Sequence, residues 1–276
     1  MGDCRLCGRS AGFLKKEHKE CRRQHEHGKR EIVSLIADAA TNEGNRQRLM
    51  AYINKTASSS YLRGVALQDV MATGFEVAVE RALDDHLLTE HEETALTELK
   101  DLLPVAYDAM DRNGALTRVV KSAILRDITL GLIPQRQQID GVVPFNLQKS
   151  ETLVWVFQHV QYYEEKTRRE FVGGSQGFSF RVTKGVYYRV GGFKGRSVET
   201  AETVHVDTGL LGVTTKHIYF AGQAKRFRIN YNKIVSFEPY SDGIGVQRDA
   251  QTAKPQSFLT DDGWFTYNLV ANLAQL

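Results

Sequence analysis

Cys4-Arg5-Leu6-Cys7-Gly8, followed after a short polar stretch by Lys15-Lys16-Glu17-His18-Lys19-Glu20-Cys21, decides how the chain begins. A Cys-x-x-Cys turn converges two thiolates on one side, and the glycine after it lets backbone amides approach the sulfurs. His18 and Cys21 are three apart in a run of helix-favouring residues, so they are expected on one helix face where they can complete a tetrahedron. His25, four residues after Cys21, is an alternative fourth ligand, and His27 a weaker one. All three cysteines lie within the first 21 residues. An odd number so clustered suits a metal site better than a disulfide framework. The reading is one zinc ion on Cys4, Cys7, His18 and Cys21, and four protein ligands make that zinc structural.

The order of knuckle, short hairpin and helix over residues 1–30 resembles a treble-clef zinc finger. The same residues are basic: nine Lys or Arg stand against four acids, whereas the whole 276-residue chain carries a formal charge of +3. Lys15, Lys16, Lys19, Arg22 and Arg23 are therefore candidate contacts to a phosphate backbone or an anionic membrane surface, with a solvated helix face as the plainer reading. No run reaches the roughly 18 apolar residues of a membrane span, and charges and cysteines stand where a secretory signal would carry an apolar core. We expect no transmembrane segment and a cytoplasmic location.

Residues 31–140 read as a helical domain. Ile32, Leu35, Ile36 and Ala39 recur at helical period, and Asn42 to Gly44 interrupt them. Arg46 to Asn54 is a short helix candidate, and Ala57 to Ser60 a loop. Thr89-Glu90-His91-Glu92 before Leu96, Leu99 and Leu103 is a capping box that starts a helix. Asn113-Gly114 ends one helical stretch, and Leu116 to Leu132 forms another before Pro134. Asp84, Asp85, His86, Glu90 and His91 are close in sequence, but acids around a helix start are accounted for by the exposed amides there.

Residues 141–276 change period. Val154 to Phe157, Val160 to Tyr163, Phe178 to Val182, Gly185 to Val190, Val204 to Val206, Leu210 to Val213, Ile218 to Ala221, Arg226 to Ile229, Ile234 to Tyr240 and Gly243 to Arg248 read as short strands, with a tight turn at Asp242-Gly243. Trp264, Phe265, Leu269, Val270 and Leu273 then fall at helical spacing. Whether the sheet begins near Val142 or near Phe178 is left open. The whole is an α+β chain: zinc knuckle, central all-α region, and a partly open antiparallel β-barrel capped by a helix. Thr208 to Gly222, Lys225 to Ile229, Tyr231 to Ile234 and Tyr240 to Ile244 resemble the strand signature of bacterial pleckstrin-homology-like (PH-like) and GRAM-like domains. That resemblance implies a scaffold that binds lipid headgroups, peptides or proteins.

Nucleophile elbows, phosphate-binding glycine loops, His-Glu-x-x-His and dinucleotide fingerprints are all missing from the sequence. Gly173-Gly174 and the Gly191 to Gly195 run lie between strands and read as bends. Arg181, Lys184, Arg189, Lys194, Arg196, Lys216, Lys225, Arg226, Arg228 and Lys233 form a candidate anion-binding set, led by Lys216, Lys225, Arg226 and Arg228. Tyr187, Tyr188 and Phe193 are interleaved aromatics. The expectation is a non-enzymatic adaptor for a protein, peptide or anionic lipid, with a zinc-dependent nucleic-acid-binding regulator as the alternative. No feature speaks to oligomeric state.

Overall fold

The computed structural model describes residues 2–12, 15–84, 88–134, 136, 143–172, 180–183, 186–188, 196–250 and 253–276. It divides into two compact units, Met1–Leu130 and Gly131–Leu276.

The first unit is helical. Helix α1 spans Lys19–Thr41, α2 Glu43–Ser59, α3 Gly64–Ala82, α4 Glu90–Leu102, α5 Tyr107–Met110 and α6 Ala115–Thr129. Residues 30 and 31, where the sequence suggests a boundary between zinc module and helical domain, are consecutive residues within α1. Asn42 ends α1 in an extended conformation and caps α2 by accepting the Asn45 amide. The carbonyls left open at the end of α1 are met from α2: buried Arg46 donates to Ala39 and Ala40 at 3.0 and 3.2 Å, and pairs with Glu98 at 3.0 Å. The expected loop at Ala57 to Ser60 is instead the last turn of α2. Ala57 is buried in the core, and the Ser58 and Ser59 hydroxyls bond back to the carbonyls of Asn54 and Thr56. The Thr89/Glu92 capping box forms in full at the head of α4. Ile32, Ile36, Ile53, Phe75, Leu96 and Leu99 meet in one core.

The second unit holds β1 (Leu153–Val172), β2 (Phe180–Thr183), β3 (Val186–Tyr188), β4 (Arg196–Thr214), β5 (His217–Gly222), β6 (Arg226–Asn230), β7 (Ile234–Pro239), β8 (Gly243–Arg248), β9 (Gln256–Leu259) and helix α7 (Gly263–Leu273). β2 and β3 pair as a hairpin. The other seven strands form one antiparallel sheet in the order β6-β5-β4-β1-β9-β8-β7, which is not closed. The edge strands β6 and β7 are nonetheless joined only by a 3-10 turn, Tyr231–Lys233. Six inter-strand spacings laid flat would separate them by about 29 Å, twice what a three-residue connection can span, so the sheet must roll.

Two strands expected in β1 are one strand with a bulge. Between the pairs Phe157↔Leu211 and Val160↔Gly209 β1 has one residue more than β4, and His159 takes φ 54°. The extra residue keeps Trp155, Phe157, Val160 and Tyr162 all buried, where strict alternation would have turned the last two outward. The stretches Val204 to Val206 and Leu210 to Val213 likewise belong to one strand, β4. β9 has no counterpart among the strands expected from the sequence. Inside the sheet Tyr162 packs on Phe220, Phe227 and Phe258 at ring distances of 5.1, 5.0 and 5.2 Å. Phe265 of α7 sits 5.0 Å from Trp155 and 5.9 Å from Phe157. Val142 and Phe178, the two positions at which the sheet is expected to begin, lie outside the described residues.

Candidate metal centre

The chain from Gly2 to Ala11 is a small hairpin folded around the two-cysteine turn. Cys4 donates its amide to Arg9, Gly8 to Cys4 and Ala11 to Gly2, at 2.7, 2.8 and 3.0 Å. Gly8 sits at φ 72°, a conformation that a residue with a Cβ avoids. This tight turn aims backbone amides at sulfur. Burial works against a charged Cys4, but hydrogen bonds from the amides of Cys7, His18 and Leu6 outweigh it and bring the thiol down to about 6. Cys4 is thus pre-set as the thiolate a metal requires.

His18 and Cys21 come from the start of α1. His18 is the residue ahead of the helix, at φ −77° and ψ 142°, and Cys21 is buried in the first turn. The expectation that both lie on one helical face is therefore corrected for His18. Its extended backbone, rather than a turn of helix, carries the imidazole to the thiolates. Nδ1 of His18 is 3.4 Å from the Cys7 sulfur and 3.6 Å from the Cys21 sulfur. All four ligand atoms lie within 4.8 Å of one another. Zn–S bonds near 2.3 Å and Zn–N bonds near 2.05 Å give tetrahedral S···N edges of about 3.6 Å, which the two His18 edges match. The other ring nitrogen settles the tautomer. Nε2 lies 2.9 Å from the Ser10 carbonyl, so it carries the proton and Nδ1 presents its lone pair inward.

The competing histidines are engaged elsewhere. His25 binds the Ser60 carbonyl through Nδ1 at 2.8 Å, and exposed His27 lies 3.6 Å from Glu31. Among the described residues no second group of His, Cys, Asp and Glu converges in this way. Asp85 and His86 lie outside them. Tyr61, in the α2–α3 turn, packs against the cluster of Cys4, Ala11 and Cys21. Hydrogen bonding to Cys21 is the first cause that raises the Tyr61 hydroxyl above its ordinary range. Burial, followed by neighbouring Cys7, raises the Cys21 thiol. Sequence reasoning misses Tyr61 and Ser10, because neither has a spacing relation to the ligands that a motif would record.

The basic residues behave differently at the two ends of the chain. Beside the candidate metal cluster, Lys15, Lys16, Lys19 and Arg22 are exposed and make no ion pair among the described residues, while Arg23 pairs with Glu20 at 2.9 Å. In the second unit the leading anion candidates do not converge. Lys216 and Lys225 stand at opposite ends of β5, about 17 Å apart by strand rise. Lys216 donates to Ser150 at 2.7 Å, Lys225 lies 3.7 Å from Glu164, and Arg226 donates to the Gly222 carbonyl at 3.4 Å. Arg228 is exposed on edge strand β6 and hydrogen-bonds Tyr219. Lys184, Arg189, Lys194, Phe193 and both glycine runs lie outside the described residues.

No family model matches the chain, and no curated protein matches it either. No described helix is long and apolar enough to cross a membrane.

Proposed function

We propose that the chain is a non-enzymatic binding protein. In this reading zinc on Cys4, Cys7, His18 and Cys21 folds a treble-clef-like module, and a PH-like sheet unit recognises a protein or peptide partner. The observation that carries the metal half is the set of four donors within 4.8 Å of one another, with both His18 edges near tetrahedral length and His18 oriented by Ser10. A filled tetrahedral shell leaves no position for substrate or reactive water, which supports a structural ion. The unclosed, rolled antiparallel sheet and its terminal helix support the PH-like part of this reading.

A peptide is favoured over an anionic lipid by the surface of that unit. β7 is an open edge with Val235 two-thirds exposed, and α7 packs on β7 and β8 with Trp264 more than half exposed. Edge amides and apolar anchors are what an added strand uses. The scattered cations Lys216, Lys225, Arg226 and Arg228 lack the convergence that a headgroup needs. Selection from a phage-displayed peptide library on the purified chain tests this, with Val235→Asp and Trp264→Ala as controls. Enriched peptides whose binding falls in both variants are expected. Binding to phosphatidylserine vesicles without any peptide enrichment would contradict it.

A second reading has one observation in its favour: Lys15, Lys16, Lys19 and Arg22, around the start of α1, make no ion pair among the described residues. As a zinc-dependent nucleic-acid-binding regulator, the chain would use these four and Arg23 on phosphates. Duplex binding would then weaken steeply with salt and vanish on charge reversal there.

A further inference from the structure

The α2–α3 turn at Ser60 to Arg63 is far in sequence from Cys4, Cys7, His18 and Cys21, yet its Tyr61 packs against this cluster. Where Ser60 crosses α1, buried Gly28 leaves room. A Cβ on Gly28 would stand 2.2 Å from the Ser60 hydroxyl and 2.3 Å from its Cβ, so a larger residue would push the turn away. One helical turn earlier, His25 holds the Ser60 carbonyl at 2.8 Å. On the other side Leu62, 2% exposed, is seated in the helical core. Tyr61 between these anchors is held at φ 59°, a left-handed conformation rare outside glycine, and in it packs on Cys4 and Cys21. A strained residue persists only where its surroundings impose it, and here both flanking residues do.

We propose that this turn is a clasp belonging to the metal centre, with Tyr61 as a positioning residue for the zinc thiolates and with Gly28 and His25 holding Tyr61 in place. The proposal rests on the zinc reading above. It assigns Gly28, His25 and Tyr61 a role that no spacing motif contains, and it makes zinc affinity and helical packing reciprocal, since what holds the clasp steadies the shell. In this proposal the Tyr61 ring, packed on Cys4 and Cys21, brings its hydroxyl to the buried Cys21 thiolate as a donor, as partners of metal ligands commonly do.

The test uses the purified full chain with cobalt(II) in place of zinc, reading thiolate-to-metal absorbance, and with zinc in competition against a chromophoric chelator. Gly28→Ala is expected to weaken zinc binding by about tenfold or more, the usual cost of disturbing an outer-shell partner. Tyr61→Phe keeps the ring and its packing. It is expected to shift the cobalt–thiolate band and weaken zinc while leaving helical circular dichroism unchanged, and it decides the matter if Gly28→Ala does not fold. Wild-type affinity and spectrum in Tyr61→Phe would overturn the clasp and leave the zinc site standing. A wild-type chain with no tetrahedral cobalt spectrum would overturn the zinc site itself, and the clasp with it.

Discussion

Glu151 has no exposed side-chain surface, yet it is held as a carboxylate by four donors. Burial would raise its affinity for a proton. The Thr214 hydroxyl, the Gln148 amide at 2.9 Å, the Tyr219 hydroxyl at 2.7 Å and His217 at 2.7 Å outweigh that and bring it from 4.5 down to about 2. A carboxylate whose folded value is depressed adds stability that is complete above its unfolded value, so this contribution is present above pH 4.5 and is lost as pH falls towards 2. Acid titration of the sheet unit's near-ultraviolet signal should follow that sign, and Glu151→Gln should flatten it. Glu151→Ala leaves buried donors without an acceptor and should cost about 3 kcal/mol in urea unfolding. None of this was legible in the sequence, because the partners of Glu151 in β4 and β5 lie more than sixty residues away. The convergence of Cys4, Cys7, His18 and Cys21 was legible, since thiol chemistry needs short spacings that a sequence displays. The choice between His18 and His25 was not, because both stand within about a helical turn of Cys21. It is decided by carbonyls elsewhere: Ser10 orients His18 and Ser60 occupies His25.

At the scale of elements, local signals were reliable where an element is stabilised locally. The Thr89/Glu92 box was read from the sequence and appears in the structure, while Asn42, read only as an interruption, also caps a helix by bonding the amide three residues on. Thr89→Ala should therefore destabilise the helical unit by about 1 kcal/mol, as measured by chemical unfolding, with Thr89→Ser recovering most of it. Boundaries set by long-range packing are harder to read. Ser58 to Ser60 look like loop residues, but buried Ala57 and back-bonding hydroxyls extend α2 to Ser59. The apparent break at Gln158-His159 is a bulge inside β1, since two short apolar runs of matching face separated by two residues read as two strands. β9 escapes notice because, of its four residues, only Phe258 contributes a large apolar side chain to the core.

For the molecule as a whole, each unit has its own core, and all four residues of the candidate metal cluster belong to the first. With zinc on this cluster as proposed, its removal by a chelator should lower the melting temperature of the helical unit, because an ion bound only by the folded state stabilises that state, while leaving the sheet unit's transition in place. The change from period 3.6 to period 2 that marks the second unit was readable from the apolar pattern. The roll of its sheet was not, since it follows from the pairing order and a three-residue connection rather than from any one strand. Metal content of the purified chain beside Cys7→Ser, by plasma mass spectrometry with protein quantified in the same sample, tests the candidate metal centre directly. One zinc per wild-type chain and little or none in Cys7→Ser is the expected result. A wild-type chain carrying no metal, or a Cys7→Ser chain that retains it in full, would contradict a zinc site on these four residues.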